Sequence, residues 1–76
     1  MAKGDIETYY EDGLWKNRPE GNRRASSTHD TKAEARTAGR DMAVARGVEH
    51  VIKKKDGTIG ETNSYPRSRD RRRTRG

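Results

Sequence analysis

The residues best equipped for chemistry in this chain stand together at one end. Residues 67–76 read RSRDRRRTRG, with Arg67, Arg69, Arg71, Arg72, Arg73 and Arg75 against a single aspartate. A guanidinium offers a planar fork of donors that pairs with phosphate and stacks on bases. Six of them in ten residues could neutralise several phosphates and bind a polyanion through counterion release. The first 66 residues hold twelve Lys and Arg against eleven Asp and Glu, so nearly all of the net charge of +6 sits in this segment. A near-neutral body with a basic arm differs from a uniformly basic protein, and the arm reads as a polyanion-binding appendage. Two other readings of such an arm are a solubilising tail and attraction to anionic lipid. Neither an amphipathic helix nor a lipidation motif accompanies it, so no membrane partner is expected.

Three cations of the body could extend that surface. Lys16, Arg18 and Arg24 would share the solvent face of a sheet if Trp15 faces the other way, and Lys53-Lys54-Lys55 would add charge near one end. Asp and Glu are interspersed in the same region, so the pattern also suits an ordinary solvated sheet. Trp15 is the only tryptophan. It could stack a nucleobase, but in a chain this poor in apolar residues it reads as the main packing residue. Ser27, His29 and Asp30 are triad types within four consecutive positions, whereas a triad converges in space beside an oxyanion hole. A strand end and a helix cap account for them. His29 and His50 have no carboxylate or cysteine at ligand spacing. Arg23-Arg24-Ala25-Ser26 has the form of a basophilic kinase site, which a sheet strand would make unreachable. There is no Gly-rich phosphate loop, no H-E-x-x-H and no carboxylate pair at catalytic spacing. No catalytic residue, metal or cofactor is therefore expected, and the chain does not read as an enzyme.

These residues need elements to hold them. Residues 5–11, DIETYYE, and 14–18, LWKNR, read as strands joined at Asp12-Gly13, a pair suited to a type I′ turn. Pro19-Glu20-Gly21-Asn22 reads as a second turn, and 23–28 as a third strand. Thr31-Lys32-Ala33-Glu34 fits a capping box, and Gly47 followed by Val48 fits a Schellman stop, which predicts a helix over 32–46. Ala35, Ala38, Met42 and Ala45 would form its apolar stripe. Gly39, inside the helix, reads as a point of close approach to the sheet. Residues 48–54 and 58–62 read as two strands around Asp56-Gly57. The fold class is α+β: a small antiparallel sheet in the order β-β-β-α-β-β, with one helix on one face.

The spacing of Gly13, Trp15, Thr31-Lys32-x-Glu34-Ala35 and Asp56-Gly57-x-Ile59 resembles a family of short bacterial and phage proteins catalogued only as a domain of unknown function. The likeness runs from Tyr9 to about Tyr65 and implies a strand-and-helix fold and no activity. A second likeness is to the arm-binding domains of phage-type integrases, carried by Trp15, Arg23-Arg24, Thr31-Lys32 and Glu34-Ala35. Those domains lay a three-stranded sheet in the major groove of DNA. The two strands after the helix depart from that pattern.

Size and composition limit the rest. Seventy-six residues, 26% of them apolar, allow one domain with a small core. Residues 1–66 are expected to form it, and 67–76 a disordered tail. There is no cysteine, no signal-peptide h-region and no membrane-length apolar run. The expectation is a cytoplasmic, non-enzymatic accessory protein that binds nucleic acid, with RNA slightly favoured over DNA. The alternative is a protein-interaction module offering a sheet edge or face to a protein partner.

Overall fold

A computed structural model describes residues 4–65; the expected tail, with its six arginines, lies outside them. The element order is β1 (Ile6–Glu11), β2 (Leu14–Pro19), β3 (Ser27–His29), α1 (Lys32–Arg46), β4 (Glu49–Lys53) and β5 (Ile59–Ser64). β1 and β2 form an antiparallel hairpin whose register pairs Tyr10 with Trp15 and Thr8 with Asn17. Asp12 and Gly13 have φ of 55° and 80°, the two positive values that a type I′ turn requires. The Asp56-Gly57 connection is a different turn. Only Gly57 has positive φ there. Lys54 and Thr58 close a three-residue loop, and the Asp56 carboxylate accepts from the Thr58 N–H and hydroxyl.

The helix starts and stops on local chemistry. The Thr31 hydroxyl accepts from the Glu34 N–H at 3.2 Å. At the other end Gly47 is left-handed, with φ 69° and ψ 41°. Gly47 N–H reaches the Val44 carbonyl and Val48 N–H reaches that of Ala43, the paired bonds of a Schellman stop. Gly47→Val should cost at least about 1 kcal/mol by forcing a β-branched residue into this conformation. Thermal unfolding followed by circular dichroism checks it, and an unchanged Tm would mean that the cap contributes nothing.

Three expectations are corrected. The sheet is mixed, not antiparallel. Its strand order is β3-β2-β1-β4-β5, and β1 pairs with β4 in parallel, Ile6 with His50 and Thr8 with Ile52. The reason is the length of α1. Fifteen residues rise about 22 Å, enough to carry the chain from the end of β3 back to the end of the sheet where β3 began. The next strand must then run parallel to β3, and so to β1. The third strand shrinks from 23–28 to Ser27–His29, because β2 receives a partner only over Trp15–Asn17. Arg23 and Arg24 therefore lie in the exposed loop before it. The helix is also rotated. Its buried ridge is Ala35, Gly39 and Ala43, while Ala38 and Met42 flank it half-buried and Ala45 is exposed. The smallest residues face the sheet because that permits the closest approach.

The apolar core is small: Ile6, Trp15, Ala35, Ala43, Val51 and Ile52. Nearly as many polar residues are buried with them, namely Asp5, Glu7, Thr8, Asn17 and His50. A buried polar group is tolerated only where its hydrogen bonds are made, so the placement of these bonds decides the interior.

Candidate functional site

On the helix side of the sheet, the strand alternation that directs Trp15 inward also directs Asn17 inward. Thr8 and His50 join it from β1 and β4. All three lie beneath Gly39, the point of close approach expected from the sequence. The proton count of this seam can be worked out. Asn17 Nδ2 donates to the Ala35 carbonyl at 2.9 Å and to Ser27 Oγ at 3.1 Å, which leaves Oδ1 as the acceptor. Thr8 gives its one hydroxyl proton to that oxygen. His50 Nε2, 2.6 Å from Thr8 Oγ1, must then be the donor, so the neutral ring carries its proton on Nε2. Burial, the main cause, holds His50 below the ordinary imidazole pKa.

On the opposite face Glu7 is the centre. Its side chain is 3% exposed, with Arg18 Nη2 at 2.6 Å and Lys53 Nζ at 2.7 Å. Burial alone would raise the Glu7 pKa. The hydrogen bonds from Lys53 and Arg18, and then their charges, outweigh it and hold the carboxyl below its ordinary value. Arg18 also lies over the Tyr9 ring at 4.7 Å. Lys16 shares this face, as expected, and pairs with Glu11 at 3.0 Å. Arg24 does not share it, because it sits in the loop. The expected basic surface is thus partly assembled, and its sheet cations Lys16, Arg18 and Lys53 are all committed to carboxylates. Trp15 is buried at 6% exposure and packs on Tyr10, with the Lys32 ammonium over its ring.

Ser27 Oγ meets His29 Nε2 at 3.0 Å, which ties the strand end into the Asn17 seam. His29 and His50 lie three strand spacings apart, at least about 14 Å, and are further offset along the strands, too far to share a metal ion. Among the described residues no group of three or more His, Cys, Asp or Glu is placed to hold a metal. No helix among them is long and apolar enough to cross a membrane.

A recessed feature of the surface went unread in the sequence. Helix α1 packs on β3, β2, β1 and β4 but not on β5, so β5 projects past it. Between them is a cleft of about 380 Å³. Arg36 and Arg40 stand on the helix wall, Glu61, Asn63 and Tyr65 on the strand wall, and His50 and Ile52 at the floor. Arg36 Nη2 bonds both Glu61 oxygens, at 3.1 and 2.8 Å. Asn63 Nδ2 adds a third bond at 2.8 Å. The signal that could have found the cleft was weak: two arginines at i, i+4 on a helix and two polar residues at i, i+2 on a strand.

Comparison with known proteins bears on this arrangement at one point. Residues 6–65, which span every element of the sheet and the helix, match the family described as "Uncharacterized protein conserved in bacteria (DUF2188)". The chain belongs to this family. No curated protein and no solved structure matches it. The family match supports the first resemblance drawn from the sequence; the second, to integrase arm-binding domains, rests on its residues alone.

For this family member two buried groups with lowered pKa values, His50 and Glu7, predict a two-stage loss of stability in acid. His50 has a depressed folded pKa, so the unfolded chain binds the extra proton first. Stability should be level above about pH 6.5 and fall as the pH drops below it. Glu7 is depressed as well, and a second decline should begin below about pH 4.5. Urea midpoints measured from pH 8 to pH 3.5 check this. A flat profile between pH 7 and 5 would contradict the role given to His50.

Proposed function

We propose that this protein binds nucleic acid through the arginines of residues 67–76 and uses its body to place them. The observation that carries the reading is the division of charge. Residues 4–65 hold eleven Lys and Arg against eleven Asp and Glu. Within them Lys16, Arg18, Arg36 and Lys53 each lie within 3.0 Å of a carboxylate oxygen. The body is neutral and four of its eleven cations are held by its own carboxylates, so the positive field of the chain belongs to its last ten residues. Lys16, Arg18 and Arg24 are secondary contacts in this reading. RNA is favoured slightly over DNA, since arginine-rich segments fold on structured RNA. The protein is read as cytoplasmic and non-enzymatic. The test is elution from heparin, followed by direct binding to one labelled RNA and one duplex DNA. The full chain should elute late and bind both, and a chain ending at residue 66 should elute early. A full chain that binds neither polymer at low salt would overturn the reading.

A second reading, a protein-interaction module, has its own observation. Strand β5 is six residues long, carries neither proline nor lysine, and among the described residues no strand pairs with its outer edge. Such an edge is a ready template for an added strand. A protein partner recovered equally well with and without residues 67–76 would favour this reading.

A further inference from the structure

The cleft between α1 and β5 is already built around an anion, and the anion is the protein's own. Glu61 puts one carboxylate where Arg36 donates to both oxygens and Asn63 donates to one. Three donor contacts on a single oxyanion are what a carboxylate or phosphate site requires. The side chain that fills the place is 41% exposed and stands on an edge strand, so it can leave for water without disturbing the core. One turn along the helix, Arg40 is 59% exposed, and its nearest carboxylate is that of its neighbour Asp41, at 3.8 Å. Its charge is the least committed in the cleft. The floor adds none, because burial keeps His50 neutral. The volume, about 380 Å³, lies in the range of small-molecule sites, roughly 300–1,000 Å³, and exceeds what a bare oxyanion needs. Tyr65 and Ile52 supply apolar wall for the remainder of a ligand.

We propose that this cleft binds a phosphate monoester, whose phosphoryl group displaces the Glu61 carboxylate from Arg36 and Asn63 and engages Arg40 as well. A phosphate monoester carries between one and two negative charges at neutral pH and three acceptor oxygens. It can therefore satisfy both guanidinium groups and the amide at once, which one carboxylate cannot. Glu61 acts as the resident competitor: it keeps the donors aligned while the cleft is empty and swings outward when phosphate arrives. The phosphate could belong to a free nucleotide or to the end of a nucleic-acid strand. Neither this site nor the arginine segment requires the other.

The test is NMR on the full-length labelled chain at fixed ionic strength. The probes are inorganic phosphate, a nucleoside 5′-monophosphate, and one short single strand with and without a 5′-phosphate. Saturable shifts are expected at the side-chain N–H signals of Arg36 and Arg40 and at the amides of Asn63 and Tyr65. E61Q removes the competing charge and should tighten binding by about three- to tenfold. R36Q combined with R40Q should weaken it at least about tenfold, with an unchanged circular dichroism spectrum, since both residues are exposed. Saturation by the mononucleotide assigns a free nucleotide, and saturation only by the 5′-phosphorylated strand assigns strand ends. Shifts confined to signals outside the cleft, or an E61Q protein that binds no more tightly than the wild type, would overturn the proposal. A chain lacking residues 67–76 whose four cleft signals still titrate with the mononucleotide would support a site independent of the arginine segment.

Discussion

Replacing Gly39 by alanine should destabilise this domain by about 2–4 kcal/mol, and replacing it by valine should leave it unfolded at room temperature. A Cβ at this position would lie 2.5 Å from Asn17 Oδ1, 2.6 Å from His50 Nε2 and 2.7 Å from Thr8 Oγ1. Thr8 Oγ1 is hydrogen-bonded to the other two, all three are buried, and they belong to β2, β4 and β1. None is the free end of a flexible chain that could swing aside. Two effects oppose each other. Alanine gains about 1 kcal/mol of helix propensity over glycine. Against that, overpacking costs about 1–3 kcal/mol, and each buried polar group parted from its partner costs about 1–3 kcal/mol more. The clash wins. A domain of this size has only roughly 3–9 kcal/mol to lose. Urea denaturation of the wild type and of G39A checks the magnitude. A G39A protein as stable as the wild type would mean that the helix can ride away from the sheet freely.

The second large effect follows from the proposed function. If residues 67–76 anchor the protein to nucleic acid, log affinity should fall with log salt at a slope of roughly −4. Each neutralised phosphate contributes about −0.9 on B-DNA, and about four or five of the six arginines can engage one duplex together. Affinity should then fall roughly 250-fold between 50 and 200 mM salt. Deleting the segment should bring the slope near −1 or abolish binding. Changing all six arginines to lysine should keep most of the slope and weaken the complex, because lysine lacks the planar bidentate fork. Salt titrations of the three forms on one RNA and one duplex decide it. A tailless protein with an unchanged slope would move the site onto the sheet, as in the integrase-like reading.

Those two expectations come from different levels of the molecule. Signals carried by a few consecutive residues were legible in the chain itself. Asp12-Gly13 specified its turn because glycine and aspartate tolerate positive φ at little cost. Thr31 and Gly47 bounded the helix because orphan backbone groups need local partners. The inward placement of Trp15 followed from strand alternation and the shortage of other large apolar residues. The site was far less legible. Lys16 and Arg18 were found on the right face, but their commitment to Glu11 and Glu7 was not foreseen, and Arg36, Arg40 and Glu61 were passed over.

Legible along the chain are the succession of its elements, their caps and turns, and the split between a neutral body and an arginine-rich end. Each of these depends on residues near one another in the chain. The place of β4 beside β1 was set by the folded sheet, since the helix length fixes the direction of the strand but not which neighbour receives it. The tertiary structure alone decided which ridge of the helix is buried, because a ridge of Ala35, Gly39 and Ala43 has too little apolar surface to register as a stripe. And it alone decided that Thr8, Asn17 and His50 form one seam, and that Glu61 fills the cleft before Arg36. Those partners are 9 to 42 residues apart, and the polar side chains of Thr8, Asn17 and His50 become compatible with burial only when the fold closes the hydrogen bonds between them.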